Sequence, residues 1–294
     1  MQYNFIEMTK KSEIPNQSLQ IPKVITQTAK LLQAISPKLA TLFAAKLFTT
    51  PIKHKIPKRE LHMEENSKQS KLIIPKINKE IVVYQYGQSK RKVLLVHGWS
   101  GRGTQLFKIA DELLQNGFST ISFDAPAHGK SASKTTLMPE FIASILEVEK
   151  QFGPFEFAIG HSLGGMSILN AIKQGLNVKK AVIIGSGDLI QDILDEFVSK
   201  LELKPETASM MKTHFEKKFG VEMESYSASF AAQSVKIPVL VIHDKNDDEI
   251  AVKAAHNVQS NLVKGEILIT EKLGHRKILG DKKVIESMLN FILN

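Results

Sequence analysis

With 294 residues, 43% of them hydrophobic, the chain is long enough to bury a sizeable core, either as one large domain or as a core with an insertion, and global disorder is excluded. It contains no cysteine, which rules out a disulfide framework, thiolate metal sites and a cysteine nucleophile together. The formal net charge of +9 does not point to nucleic acid, because the lysines are scattered between apolar positions instead of clustering with aromatics. That pattern is a solvated lysine-rich surface. Its densest stretch, residues 53–92, leaves room only for weak attraction to anionic substrates or lipid surfaces.

From the start of the chain, residues 1–20 lack the basic-then-apolar order of a signal peptide, and no run reaches the length of a membrane span, so a cytoplasmic protein is expected. Residues 21–48 carry Val24, Leu31, Leu32, Ile35, Leu39, Leu42, Phe43 and Leu47 at helical spacing. Ser36-Pro37 interrupts them and suits an N-cap followed by a first-turn proline, which predicts two amphipathic helices. Their expected role is packing on the domain ahead of membrane contact, which stays open as the alternative, because Lys30, Lys38 and Lys46 do not build a strongly basic face. Residues 51–71, with their prolines and charges, read as a connector. The expected division is therefore an N-terminal helical extension and connector over 1–70, followed by the main domain over 71–294.

From Ile81 onward, short β-rich runs alternate with helical patterns: EIVVYQYG, KVLLVHG, FSTISFDAP, FEFAIG, KKAVIIGSG, IPVLVIHD and EILITEKLGH. Several are apolar almost without alternation, as strands covered by helices on both faces must be. This predicts an α/β domain with a mainly parallel central sheet flanked by helices. The alternation breaks over residues 188–234, where 190–219 read as helix after helix. That stretch is expected to be a small helical cap lying over the sheet.

In such sheets chemistry gathers at the carboxyl ends of strands. The apolar run FAI is followed by Gly160-His161-Ser162-Leu163-Gly164-Gly165 and then by a helical pattern. A serine on a sharp strand-to-helix turn needs small residues two before and two after it, where strand and helix cross too closely for side chains. Gly160, Gly164 and Gly165 meet that demand, and no Walker lysine follows to make a phosphate loop of it. Ser162 is thus a candidate nucleophile, and as a poor one at neutral pH it requires a base.

HGWSG after an early strand, DAPAHGKS after the next, the GHSLGG turn, an acidic loop after VLVIH and LGH after the last strand stand in the order of the α/β-hydrolase superfamily, which the chain resembles from about Ile81 to its C-terminus. The resemblance implies His275 as the base and Asp247, four residues beyond the strand-end His243, as the acid that orients it, with Asp248 next and Asp188 a more distant rival. It implies backbone amides of Leu163 and Trp99 as oxyanion donors, structural or oxyanion-loop roles for His97 and His128, and a loop-fixing role for Asp124. His161 is expected to point away from the serine. The family's dehalogenases and epoxide hydrolases carry aspartate at the elbow, and Ser162 disfavours both.

The expected protein is a serine hydrolase of the α/β-hydrolase fold that cleaves a carboxylic ester or thioester of a small or medium lipophilic acyl group through an acyl-enzyme. No cofactor, metal or nucleic acid is called for. An amidase, a C–C bond hydrolase and a non-catalytic ligand-binding protein on the same fold stay open as alternatives, because fold does not fix chemistry.

Overall fold

Eight strands form one sheet in the computed structural model, which describes residues 21–294. They are β1 (Ser67–Ile74), β2 (Lys79–Tyr86), β3 (Lys92–Val96), β4 (Ser119–Asp124), β5 (Phe157–His161), β6 (Lys180–Ile184), β7 (Val239–Asp244) and β8 (Gly265–Thr270). Their order is β1-β2-β4-β3-β5-β6-β7-β8. β1 and β2 form an antiparallel hairpin, β2 pairs antiparallel with β4, and every later pair is parallel. The α/β architecture with a mainly parallel sheet is the one the apolar runs predict.

The central strands are apolar throughout because both faces are covered: β4, β5 and β7 are buried at every position. β1 differs, and the sequence reading missed it. Among the described residues it has β2 as its only neighbour, and its Lys68, Gln69 and Lys71 are exposed, so most of its length carries polar and charged residues at an edge. Residues 67–71 are therefore strand and not connector, and a boundary between residues 70 and 71 would cut through β1.

The helices ahead of the sheet are α1 (Lys23–Ile35), α2 (Pro37–Phe48) and the short α3 (Leu61–Glu65). Within the sheet's connections come α4 (Phe107–Gln115), α5 (Met138–Phe152), α6 (Leu163–Lys173), α7 (Ile190–Lys200), α8 (Glu206–Phe219) and α9 (Ala228–Ala232). α10 (Lys253–Asn261), α11 (Gly274–Lys277) and α12 (Lys282–Leu293) complete the chain. One face of the sheet is covered by α4 and α12 through Ile109, Leu113, Val284 and Met288. The other is covered by α5, α6 and α10 through Phe141, Ile145, Ile168, Leu169 and Val258. Each such side chain contributes about 1.5–3 kcal/mol by burial. β3 lies between β4 and β5, so the loops leaving β3 and β5 diverge and open a crevice at the carboxyl end of the sheet.

The expected cap over 188–234 is present as α7 and α8, followed by a turn and α9. It is not a cap by itself. α2 packs on α8, burying Ala40, Thr41, Ala44 and Ala45. α1 reaches the same roof, with Gln33 donating to the Thr207 hydroxyl at 2.9 Å and accepting from the Lys204 amide at 3.1 Å. Lys30 pairs with Glu202. The two predicted helices do meet at Ser36-Pro37, with Pro37 in the first turn, but the Ser36 side chain makes no capping bond.

Beyond α2 the chain acts as a clamp on the loops above the sheet. The Thr49 carbonyl accepts from the Thr136 amide at 2.9 Å, and the Ile52 amide donates to Ser100 Oγ at 3.0 Å. Glu60, buried, accepts from Thr104 Oγ1 at 2.8 Å and pairs with Arg102 at 3.1 Å. Both ties fasten the loop that follows β3.

Candidate active site

Ser162 sits between β5 and α6 with φ 52° and ψ −120°, a backbone conformation that costs a non-glycine residue about 1–3 kcal/mol and persists only where its surroundings fix it. The fixing is visible in the glycines. A Cβ on Gly160 would lie 2.6 Å from the Gly164 carbonyl, and one on Gly164 would lie 2.3 Å from the Val96 carbonyl oxygen, so neither position admits a side chain. Gly165 is less constrained, since its nearest neighbour would be the Ile183 Cβ at 3.1 Å. The strand below and the helix above thus approach as backbones, and Ser162 is raised on the turn between them.

His275, in α11 beyond the last strand, is buried, and its Nδ1 lies 2.7 Å from Asp247 Oδ2. The other carboxylate oxygen of Asp247 accepts from the amides of Glu249 and Ile250, both at 2.9 Å. Burial pushes the Asp247 carboxyl up, but the His275 hydrogen bond and charge interaction, with the two amides, outweigh it and hold the carboxyl below its ordinary value. Asp247 is therefore ionised beside the imidazole. Of the three carboxylates proposed from the sequence, it is the one within reach of His275. Asp248 is exposed on the same loop. Asp188 accepts from the Ser229 amide at 2.8 Å and from the Asn257 side chain, and so ties the loop after β6 to α9 and α10.

The other buried histidines hold backbone. His161 is buried beneath the elbow, its Nε2 2.9 Å from the His275 carbonyl, so it supports the main chain of His275 and not the serine. His97 Nδ1 donates to the Gly98 carbonyl at 2.7 Å, which leaves its Nε2 to accept from the Ala125 amide at 3.0 Å. His128 Nε2 accepts from the Ser100 amide at 3.0 Å while its Nδ1 donates to the Pro126 carbonyl at 3.1 Å. Both rings are needed neutral, and burial drives both pKa values down, that of His128 to about 4. Asp124 accepts from the Gly103 and Lys130 amides, each at 2.7 Å, and from the Tyr84 hydroxyl at 2.9 Å, which joins the loops after β3 and β4.

Between two amides that this network occupies stands one that it does not. In the loop after β3 the Gly98 amide donates to Gln105 and the Ser100 amide to His128, and among the described residues the Trp99 amide between them has no acceptor. The Leu163 amide, first in α6, has none either. Trp99 stacks on Phe48 at the end of α2, with centroids 6.5 Å apart, so its indole belongs to the wall under the roof.

Ser162, Leu163, Trp99, Asp247 and His275 all line one cavity of about 2080 Å³, roofed by α2, α7 and α8. Ordinary small-ligand pockets run to about 1000 Å³, so this one exceeds what a small or medium acyl group fills. Glu249, which sequence reasoning left without a role, also faces it. Its Oε2 lies 3.8 Å from His275 Nε2, and its other oxygen pairs with Arg276 at 3.0 Å. Among the described residues no group of three or more His, Asp or Glu is placed to hold a metal ion.

The sequence model of the "Alpha/beta hydrolase family" matches residues 93–257, more than half of the chain, and the protein belongs to that family. The matched stretch includes Ser162 and Asp247 and stops short of His275. Solved structures with the same fold include an esterase from Pyrococcus furiosus, with a TM-score of 0.64 and 16% identity over 83% of this chain and 97% of that one. An esterase from Exiguobacterium antarcticum gives 0.62 and 17% over 77% and 100%. A thioesterase domain from the curacin biosynthetic pathway gives 0.57 and 14% over 78% and 99%. No curated protein sequence matches at a significant level.

Proposed function

We propose that the protein is a serine hydrolase that cleaves carboxylic esters or thioesters of lipophilic acyl groups, with Ser162 as nucleophile, His275 as general base and acid, and Asp247 as the group that orients His275. The observation that carries this reading is the 2.7 Å contact between an ionised Asp247 and His275 Nδ1, in the cavity that also holds the strained Ser162. With Nδ1 occupied as donor to Asp247, Nε2 is the nitrogen left to take the Ser162 proton as Oγ attacks the carbonyl carbon. The carbonyl oxygen then carries negative charge, which the unused amides of Trp99 and Leu163 would meet at about 3–4 kcal/mol per donor. The imidazolium returns its proton to the leaving alcohol or thiol. Water, deprotonated by the same nitrogen, attacks the acyl-enzyme and releases the acid, restoring Ser162.

The breadth and apolar roof of the cavity favour acyl groups longer than the sequence alone suggested. Labelling by a fluorophosphonate probe tests the reading. Wild-type protein should label, and Ser162→Ala and His275→Ala should not. An intact protein that resists the probe, while binding an ester without turnover, would make it a ligand-binding relative instead.

A further inference from the structure

The roof has an outer side that the core does not use. α1 and α2 bury Ala29, Ala40 and Ala44, yet Val24, Leu31 and Ile35 on the first helix are 72%, 63% and 66% exposed, and Leu39 and Leu42 on the second 43% and 42%. The spacing of seven and four residues between Val24, Leu31 and Ile35 puts these three on one helical face, opposite the buried alanine. The exposed apolar surface reaches the cavity mouth, because Leu42, Ile52, Leu189 and Phe219 are exposed and line the cavity at the same time. Five exposed large hydrophobics on two adjacent helices make an apolar face of the kind that marks a site of contact.

Charge identifies the occupant. Residues 21–59 hold seven lysines and one arginine and not a single aspartate or glutamate. Among the described residues only Lys30 of these eight is paired with an acid. A second copy seated on the same face by two-fold symmetry would set these cations against each other. An anionic lipid surface satisfies both halves of the face, with headgroups for the lysines and the acyl boundary for the leucines. Among the described residues no helix is long and apolar enough to cross a membrane, so contact is in the plane of the interface.

We propose that the outer face of α1 and α2, with the rim of the cavity, docks on an anionic lipid surface, so that the mouth opens onto the acyl chains. That the chain entering there meets Ser162 rests on the hydrolase reading; docking does not.

Flotation of the full chain with vesicles of phosphatidylcholine alone, and of phosphatidylcholine with an equal part of phosphatidylglycerol, tests the proposal. Binding is expected to the second kind, to weaken with added salt, to fall roughly fivefold for each of Lys23→Gln and Lys38→Gln, and to fall about tenfold or more in Leu31→Glu/Ile35→Glu. Unchanged melting and unchanged fluorophosphonate labelling would show that these variants are folded. Wild-type protein that stays with the buffer, variants that float like wild type, or light scattering that finds a dimer dissociated by Leu31→Glu would each overturn it. A chain that floats yet never labels at Ser162 would keep the docking surface and remove the hydrolase reading.

Discussion

Where β5 turns into α6, the floor of the cavity admits no added atom at Gly160 or Gly164, because another backbone stands within 2.6 Å of where a Cβ would be. The roof, made by α1, α2, α7 and α8, is held instead by alanines, a few side-chain hydrogen bonds and apolar contact, and keeps large hydrophobics in solvent. In the proposed hydrolase the floor fixes where atoms react, and such placement must hold to a fraction of an ångström. The roof fixes only how much apolar volume lies above them. Backbone contact is therefore spent where position matters, and adaptable side chains where capacity does.

The sharpest way to break that contrast is Asp247→Asn. It keeps the shape of the floor but offers His275 the wrong partner, and turnover should drop by roughly 10⁴-fold, while Asp248→Asn, on the exposed neighbour, should change turnover little; equal losses would dissolve the assignment of roles. Gly164→Ala should destabilise the fold by about 3 kcal/mol, since its methyl must displace the Val96 carbonyl. Denaturant midpoints would measure this, and an unchanged midpoint would mean that strand and helix are not locked together there.

Acid should loosen the floor next. His128 is neutral in the fold, with its pKa lowered by burial from 6.5 to about 4, so the unfolded chain binds the extra proton first. Stability from this group is full above about pH 6.5 and is lost as pH falls to about 4, by roughly 3 kcal/mol. His97 and His161, also lowered by burial, add to the loss in the same direction. A denaturant midpoint that stays level across that window would argue against the neutral histidine network. The smallest effect belongs to the roof. Phe197→Ala, next to Phe48 at 5.1 Å, should leave labelling of Ser162 within about twofold and shift relative hydrolysis of long over short acyl esters by a few-fold.

The same contrast explains what could be read from the sequence. Gly160 and Gly164 announce themselves because the crossing they serve admits no side chain, Ser162 is marked by standing between them, and the apolar strands β3 to β7 are legible because both their faces are buried. β1 stayed hidden because its first five residues, with Lys68 and Lys71 outward at an edge, are polar and only Leu72 to Ile74 are apolar. The helical spacing of residues 21–48 reported two amphipathic helices but not what covers them, and so hid that α2 closes the roof with α8. Glu60 and Arg102 lie far enough apart in the chain that only the fold reveals their pairing.

The Exiguobacterium antarcticum esterase is matched along its whole length while nearly a quarter of this chain finds no counterpart in it. The roof here is assembled from two stretches that are distant in sequence, the first beginning near residue 21 and the second after residue 188. A change confined to either stretch would therefore alter what the cavity admits while leaving the turn between β5 and α6 as it is.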